Sequence, residues 1–186
     1  MPQVSKSNLP VYHKNTLEFV AVAKSYCDFA DQIEQMDKSA VVDMAVKILP
    51  LLYLKGSLLP DPNPSYEDFS ETFATEDQYQ YLKQVIADVM GNEDAYLDVF
   101  HPDIQFSDTP VANLISENLA DIWQDMFNFI SVFKIGYEET MNDALRVCKE
   151  NFQNYWGQAL VNVLRALHRC KYNKEQESAW DEEGFE

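Results

Sequence analysis

Glycine is scarce in this chain, with five in 186 residues and none clustered. That scarcity excludes a phosphate-cradling loop, a dinucleotide fingerprint and a nucleophile elbow, each of which needs glycines at close intervals. The cysteines Cys27, Cys148 and Cys170 are odd in number and far apart, so neither a disulfide framework nor a CxxC metal pair can be read from them. Basic residues are few: Lys plus Arg number 14 against 31 Asp plus Glu, a formal net charge of -17. A chain of that sign repels phosphate backbones and anionic bilayers, and neither nucleic acid nor a membrane is expected as a partner. Long apolar runs are missing too. The richest, Ile48 to Leu59, is broken by Pro50, Lys55 and Gly56, and Met1 to Pro10 lacks the apolar core of a signal peptide. The chain is therefore expected to be soluble and cytoplasmic, with reduced thiols. No alternating strand pattern of useful length and no repeat of fixed period appears, which leaves an all-α fold without a sheet.

What is present suffices for one core. The composition is 46% hydrophobic and 13% aromatic, enough for a single domain at this length. Asn15 with Glu18 three residues on reads as a capping box, and Phe19, Val22, Ala23, Tyr26, Phe29, Ala30 and Ile33 then repeat at helical spacing. A first helix from about Thr16 to Gln35 is expected. Asp37 can cap a second, with Val41, Met44, Ala45, Ile48 and Leu52 on its buried side and a kink or restart at Pro50, which lacks an amide hydrogen. Pro60, Pro62 and Pro64 then make a stiff connector.

Thr75 and Gln78 form another capping box ahead of a third helix ending at Gly91. A short extra helix is expected over Glu93 to Phe100. Thr109 followed by Pro110 suits the start of a fourth helix that runs to about Lys134, and Gly136 marks a tight turn. A fifth extends from about Glu138 to Tyr172. Residues 12–172 thus make one bundle of about five principal helices, and residues 173–186 an acidic flexible tail. Trp180 and Phe185 stand out there, either as incidental aromatics or as anchors for a partner.

Two rows of polar residues edge the apolar faces of the last two helices. The fourth carries Asn118, Asp121 and Asp125 beside the stripe Val111, Ile115, Leu119, Ile122, Met126, Phe129 and Phe133. On the fifth, Leu145, Phe152, Trp156, Leu160, Val163, Leu164 and Leu167 form the core face. Glu150, Asn154, Gly157, Val161, Arg165 and His168 make a second row expected to face protein, since Gly157 suggests close approach of a ring or another backbone. Counting outward from an antiparallel turn at Ile135 and Gly136 levels Asp125 with Arg146, a natural bridge, and Asp121 with Glu150. It also carries Arg165 and His168 to a segment holding His101, Asp103 and Asp108. That far cluster admits a divalent metal site, an anion or proton-transfer site, or a set of ties between loop and bundle, and no diagnostic metal spacing such as HExxH accompanies it. The structural tie is expected, with no metal or cofactor.

The run Ser116 Glu117 Asn118 Leu119 Ala120 Asp121 Ile122 Trp123 Gln124 Asp125 resembles the signature of a bacterial family of unknown function, number 5063 among such domain families. Tyr155 Trp156 Gly157 with Ala166 Leu167 His168 resembles its second signature, in matching order and separation. The resemblance spans about Tyr12 to Cys170 and is closest in the last two helices. It implies an all-helical fold and a bacterial cytoplasmic setting, and it carries no assigned reaction. Asp121, Asp125, Trp156, Gly157, Arg165 and His168 are the positions that match.

A soluble binding or regulatory module acting through protein contacts, with a protein partner or a second copy, is the expected function. The alternative is an enzyme or small-ligand-binding protein using the Arg165 and His168 end of the last helix pair.

Overall fold

The computed structural model describes residues 9–63, 72–98 and 111–172. A 3-10 turn at Pro10–Tyr12 leads into α1 (Lys14–Ala30), a second 3-10 turn (Ile33–Gln35) and α2 (Lys38–Ser57). After the connector come α3 (Glu76–Met90), β1 (Ala95–Asp98), β2 (Val111–Leu114) and α4 (Ile115–Ile135). The last rod is α5 (Glu138–Asn151), a π-helical turn (Phe152–Trp156) and α6 (Gly157–Tyr172). Counting that rod as one gives five principal helices, and the fold is essentially all-α.

The helix ends follow local chemistry. Thr75 and Gln78 close the expected capping box on α3, and Gly91 ends it at φ 58. Gly136 ends α4 in the left-handed region at φ 80, where a side chain would be strained. At α1 the cap is not the expected one: His13 Nδ1 accepts from the Asn15 amide, while the Asn15 side chain donates to Leu58 O and Glu18 pairs with Lys55. Tertiary partners have outbid the local box. The first helix also stops at Ala30 and not Gln35.

Asp37 caps α2 by accepting from the Ala40 amide, and the helix passes through Pro50 without restarting. Packing against both neighbours outweighs one lost backbone bond. Met44, expected inside, is 44% exposed.

Two further expectations fail between α3 and α4. The short helix is replaced by a 3-10 turn and β1, which pairs antiparallel with β2, Ala95 opposite Leu114. The fourth helix begins at Ile115, five residues beyond Pro110, because its first turn is capped from a distance. Buried Asp94 accepts from the Ser116 amide and hydroxyl, each at 2.7 Å, and its carbonyl accepts from the Ile115 amide at 2.8 Å. Two orphan backbone donors at the helix start, and the Ser116 hydroxyl with them, thus find their partner in the residue just before β1.

The core lies where α1, α2, α4 and α6 meet. Trp156 is fully buried at its centre, stacked on Phe19 with centroids 6.2 Å apart and tilted on Phe152 at 4.7 Å, and its Nε1 donates to Cys148 O. Tyr26, equally buried, donates to Leu119 O at 2.8 Å. Burial of Cys27 raises its thiol to about 12 and pushes the Cys148 thiol up as well, so both are unreactive packing groups.

Candidate functional site

The π-helical turn positions the polar residues of the last rod. Here the Gly157 N–H donates to Phe152 O, five residues back, inserting one extra residue into the helix. A Cβ on Gly157 would stand 2.3 Å from that carbonyl and 2.9 Å from the Phe152 ring. One on Gly56 of α2 would stand 2.7 Å from Trp156. Two glycines thus clear room for one aromatic pair, which bears out the close approach expected at Gly157.

The turn lays Tyr155 over α4. Asp121 accepts from Tyr155 at 2.9 Å through one carboxylate oxygen and from Tyr79 of α3 at 2.8 Å through the other. Asp125, one turn on, accepts from the Asn151 amide at 2.6 Å, and Asn118 accepts from the Tyr96 hydroxyl of β1. Burial raises both carboxyls: Asp125 reaches about 6, desolvation outweighing the Asn151 bond, and Asp121 rises less against its two phenol donors. The same burial, with the Asp121 charge, holds Tyr155 at about 12 and Tyr79 also above its usual value. Both phenols therefore stay protonated donors, and Asp121 has each of its oxygens engaged. The arrangement ties α3, α4 and the π turn together.

The partners differ from those expected. Asp125 meets Asn151 and not Arg146, and Asp121 meets Tyr155 and not Glu150, each five residues further along α5 and the π turn than the count from Gly136 predicts. Tyr137 occupies the N-cap position of α5 without a side-chain capping bond, and the two observed bonds set α5 and the π turn five residues off that count along α4. Arg146 instead lies 3.4 Å from Glu150 on its own helix. The second polar row does not face protein as a unit: Gly157 is buried, whereas Glu150, Asn154, Val161, Arg165 and His168 are exposed. The extra residue of the π turn puts α5 and α6 out of phase, so positions collinear in an ideal helix diverge. Asn154 donates back to Glu150 O. His101, Asp103 and Asp108 lie outside the described residues, as do Trp180 and Phe185. Among the described residues, no three His, Cys, Asp or Glu side chains gather as a metal site.

A second region escaped sequence reading. Between α2 and α6, which run antiparallel, lies a groove of about 400 Å³ lined by Val46, Lys47, Pro50, Leu164, His168, Lys171 and Tyr172. Lys47 and Lys171 share Asp43, whose carboxyl they hold down at about 2, Lys171 contributing most. Beside the groove α2 turns Met44, Leu51, Leu54 and Leu58 outward, between 43% and 51% exposed, at alternating steps around Lys47 that place them on one face. The two helices that form the groove are rich in positive charge. α2 and α6 together hold six of the 14 Lys and Arg residues and only one of the 31 acids, Asp43; Lys38 and Lys55 pair with Glu93 and Glu18 of other elements, while Lys47 and Lys171 line the groove. The signal was present in the sequence as an acid-free run from Gly157 to Tyr172 and as apolar residues on every side of the second helix.

Among the described residues, no helix is long and apolar enough to cross a membrane. No curated protein matches the chain. The crystal structure of protein BF1032 from Bacteroides fragilis is similar at 43% identity and a TM-score of 0.79, covering 90% of this chain and 98% of that one. With a match to the family model over residues 10–173, the chain belongs to the family described as Domain of unknown function (DUF5063).

Proposed function

We propose that this protein is a binding or regulatory module that holds an acidic, amphipathic segment of a partner protein against α2 and α6. The observation that carries the reading is the coincidence of exposed leucines on α2 with a neighbouring groove lined by Lys47 and Lys171, on a chain whose net charge is -17. Such a patch costs solubility unless a partner covers it. Its charge selects against a second copy docked face to face, because that would oppose basic surface with basic surface. Its apolar content favours a peptide over a phosphate polymer, which the rest of the chain repels. The groove walls, with His168 and the 58% exposed Tyr172 at the surface, suit docking better than an enclosed reaction chamber.

The probe is a designed acidic amphipathic helix with leucines at heptad spacing, fluorescently labelled and titrated with the full chain. Binding is expected to weaken with salt and to fall about tenfold or more in Leu51→Asp and Leu54→Asp, since each leucine can contribute roughly 1.5 to 3 kcal/mol when covered. Saturable binding that neither substitution alters would refute the placement. No binding at millimolar protein would refute the function.

A further inference from the structure

We infer that residues 173–186 of this same chain dock in the α2–α6 groove and compete there with the partner segment. The inference rests on the docking reading of that face and names the ligand chemistry its groove takes: aromatic side chains flanked by carboxylates. The groove is lined by the apolar Val46, Pro50 and Leu164 together with Lys47, His168, Lys171 and Tyr172. Exposed Arg165 stands one turn from His168 on α6.

The segment that follows has the complementary character. It contains six acids, Glu175, Glu177, Asp181, Glu182, Glu183 and Glu186, against the single base Lys174, and its apolar anchors are Trp180 and Phe185. Each ring can cover on the order of 150 to 250 Å². Lys47 and Lys171 together carry two positive charges against the one carboxylate of Asp43, so the rim keeps a net positive charge for incoming carboxylates.

The connection is short. Tyr172 lies in the groove itself, and Trp180 follows eight residues later, a span of up to about 27 Å when extended. That is ample to double back over a groove whose α2 wall, Val46 to Pro50, is little more than one helical turn. A tether of this length supplies an effective concentration on the order of millimolar, so even a weak contact is populated in cis. A partner must then displace it, which makes the segment a threshold on binding.

Two measurements on the full chain test this. Amide spectra of the ¹⁵N-labelled protein are compared with those of a Trp180→Ser, Phe185→Ser double variant, at low salt and at two protein concentrations. Expected are shift changes at Val46, Lys47, Leu164, His168 and Lys171 that are identical at both concentrations. Unchanged groove amides overturn the inference, and concentration-dependent changes overturn it in favour of a second copy as occupant. In the second measurement, a labelled peptide of residues 173–186 is titrated into both proteins and is expected to bind the double variant at least fivefold more tightly. Equal binding to both leaves the docking face standing and removes the cis occupant. Failure of this peptide and of the designed helix together removes the docking face as well.

Discussion

Replacing Asp125 with Asn should stabilise the protein at neutral pH. The carboxyl is held at about 6 against an ordinary 3.8, chiefly by burial beneath the π turn. A shift of about two units corresponds to roughly 3 kcal/mol between the neutral and ionised forms in the folded state. Because the folded-state value is the higher, the group adds stability below about pH 4, and that contribution is lost as pH rises through about 6. Above that pH the folded protein carries a buried carboxylate compensated mainly by the Asn151 amide. Asparagine keeps an oxygen to accept from Asn151 and carries no charge. The expected gain is on the order of 1 to 3 kcal/mol at pH 8, shrinking towards zero near pH 4. Urea unfolding followed by circular dichroism at half-unit pH intervals measures both proteins on one scale. A difference that stays constant from pH 4 to pH 8 would refute the reasoning, since an uncharged packing effect has no such slope. A loss of stability at pH 8 would show instead that the carboxylate has a stronger partner than Asn151.

Gly157→Ala, ordinarily favourable inside a helix, should here cost about 1 to 3 kcal/mol, because the new methyl meets the Phe152 carbonyl and ring; a raised melting temperature would mean the π turn relaxes at no cost. Asp94→Ala strips the cap from the first turn of α4 and should cost a similar 1 to 3 kcal/mol, visible as faster hydrogen exchange at Ile115 and Ser116. Tyr155→Phe should cost about 1 kcal/mol and show coupling to Asp121→Asn in a double-mutant cycle; additive losses would remove the bond's energetic role.

The helices were legible because their apolar periodicity and end signals are local: the capping box at Thr75, the cap at Asp37 and the left-handed Gly136 all stand where their chemistry places them. The end signals that misled were overridden by distant partners, as when Leu58 claimed the side chain of Asn15. Strands β1 and β2 are four residues each and pair across a long separation, too short for any alternation to be distinctive. At the candidate site Asp121 and Asp125 were visible, but their true partners Tyr79, Tyr155 and Asn151 depend on how far α5 slides along α4. A clue to the π turn was nevertheless printed in the core positions Cys148, Phe152, Trp156 and Leu160, three successive steps of four where an ideal helix would insert a three. The exposed apolar row of α2 was not legible because apolar residues surround that helix: Met44 was expected inside, and Leu51, Leu54 and Leu58 carried no signal to separate them from core.

The π turn also governs which changes of chain length this protein can survive. Deleting one residue at Gln153 or Asn154 converts the turn to ordinary α-helix and swings everything beyond it by about 100°. His168 and Lys171 would then leave the side of α2 while each helix still formed. A gap in that short stretch therefore separates two proteins with the same helices and different surfaces, and relatives that keep the spacing between Tyr155 and His168 but lose a residue just before Tyr155 should present a different surface beside α2.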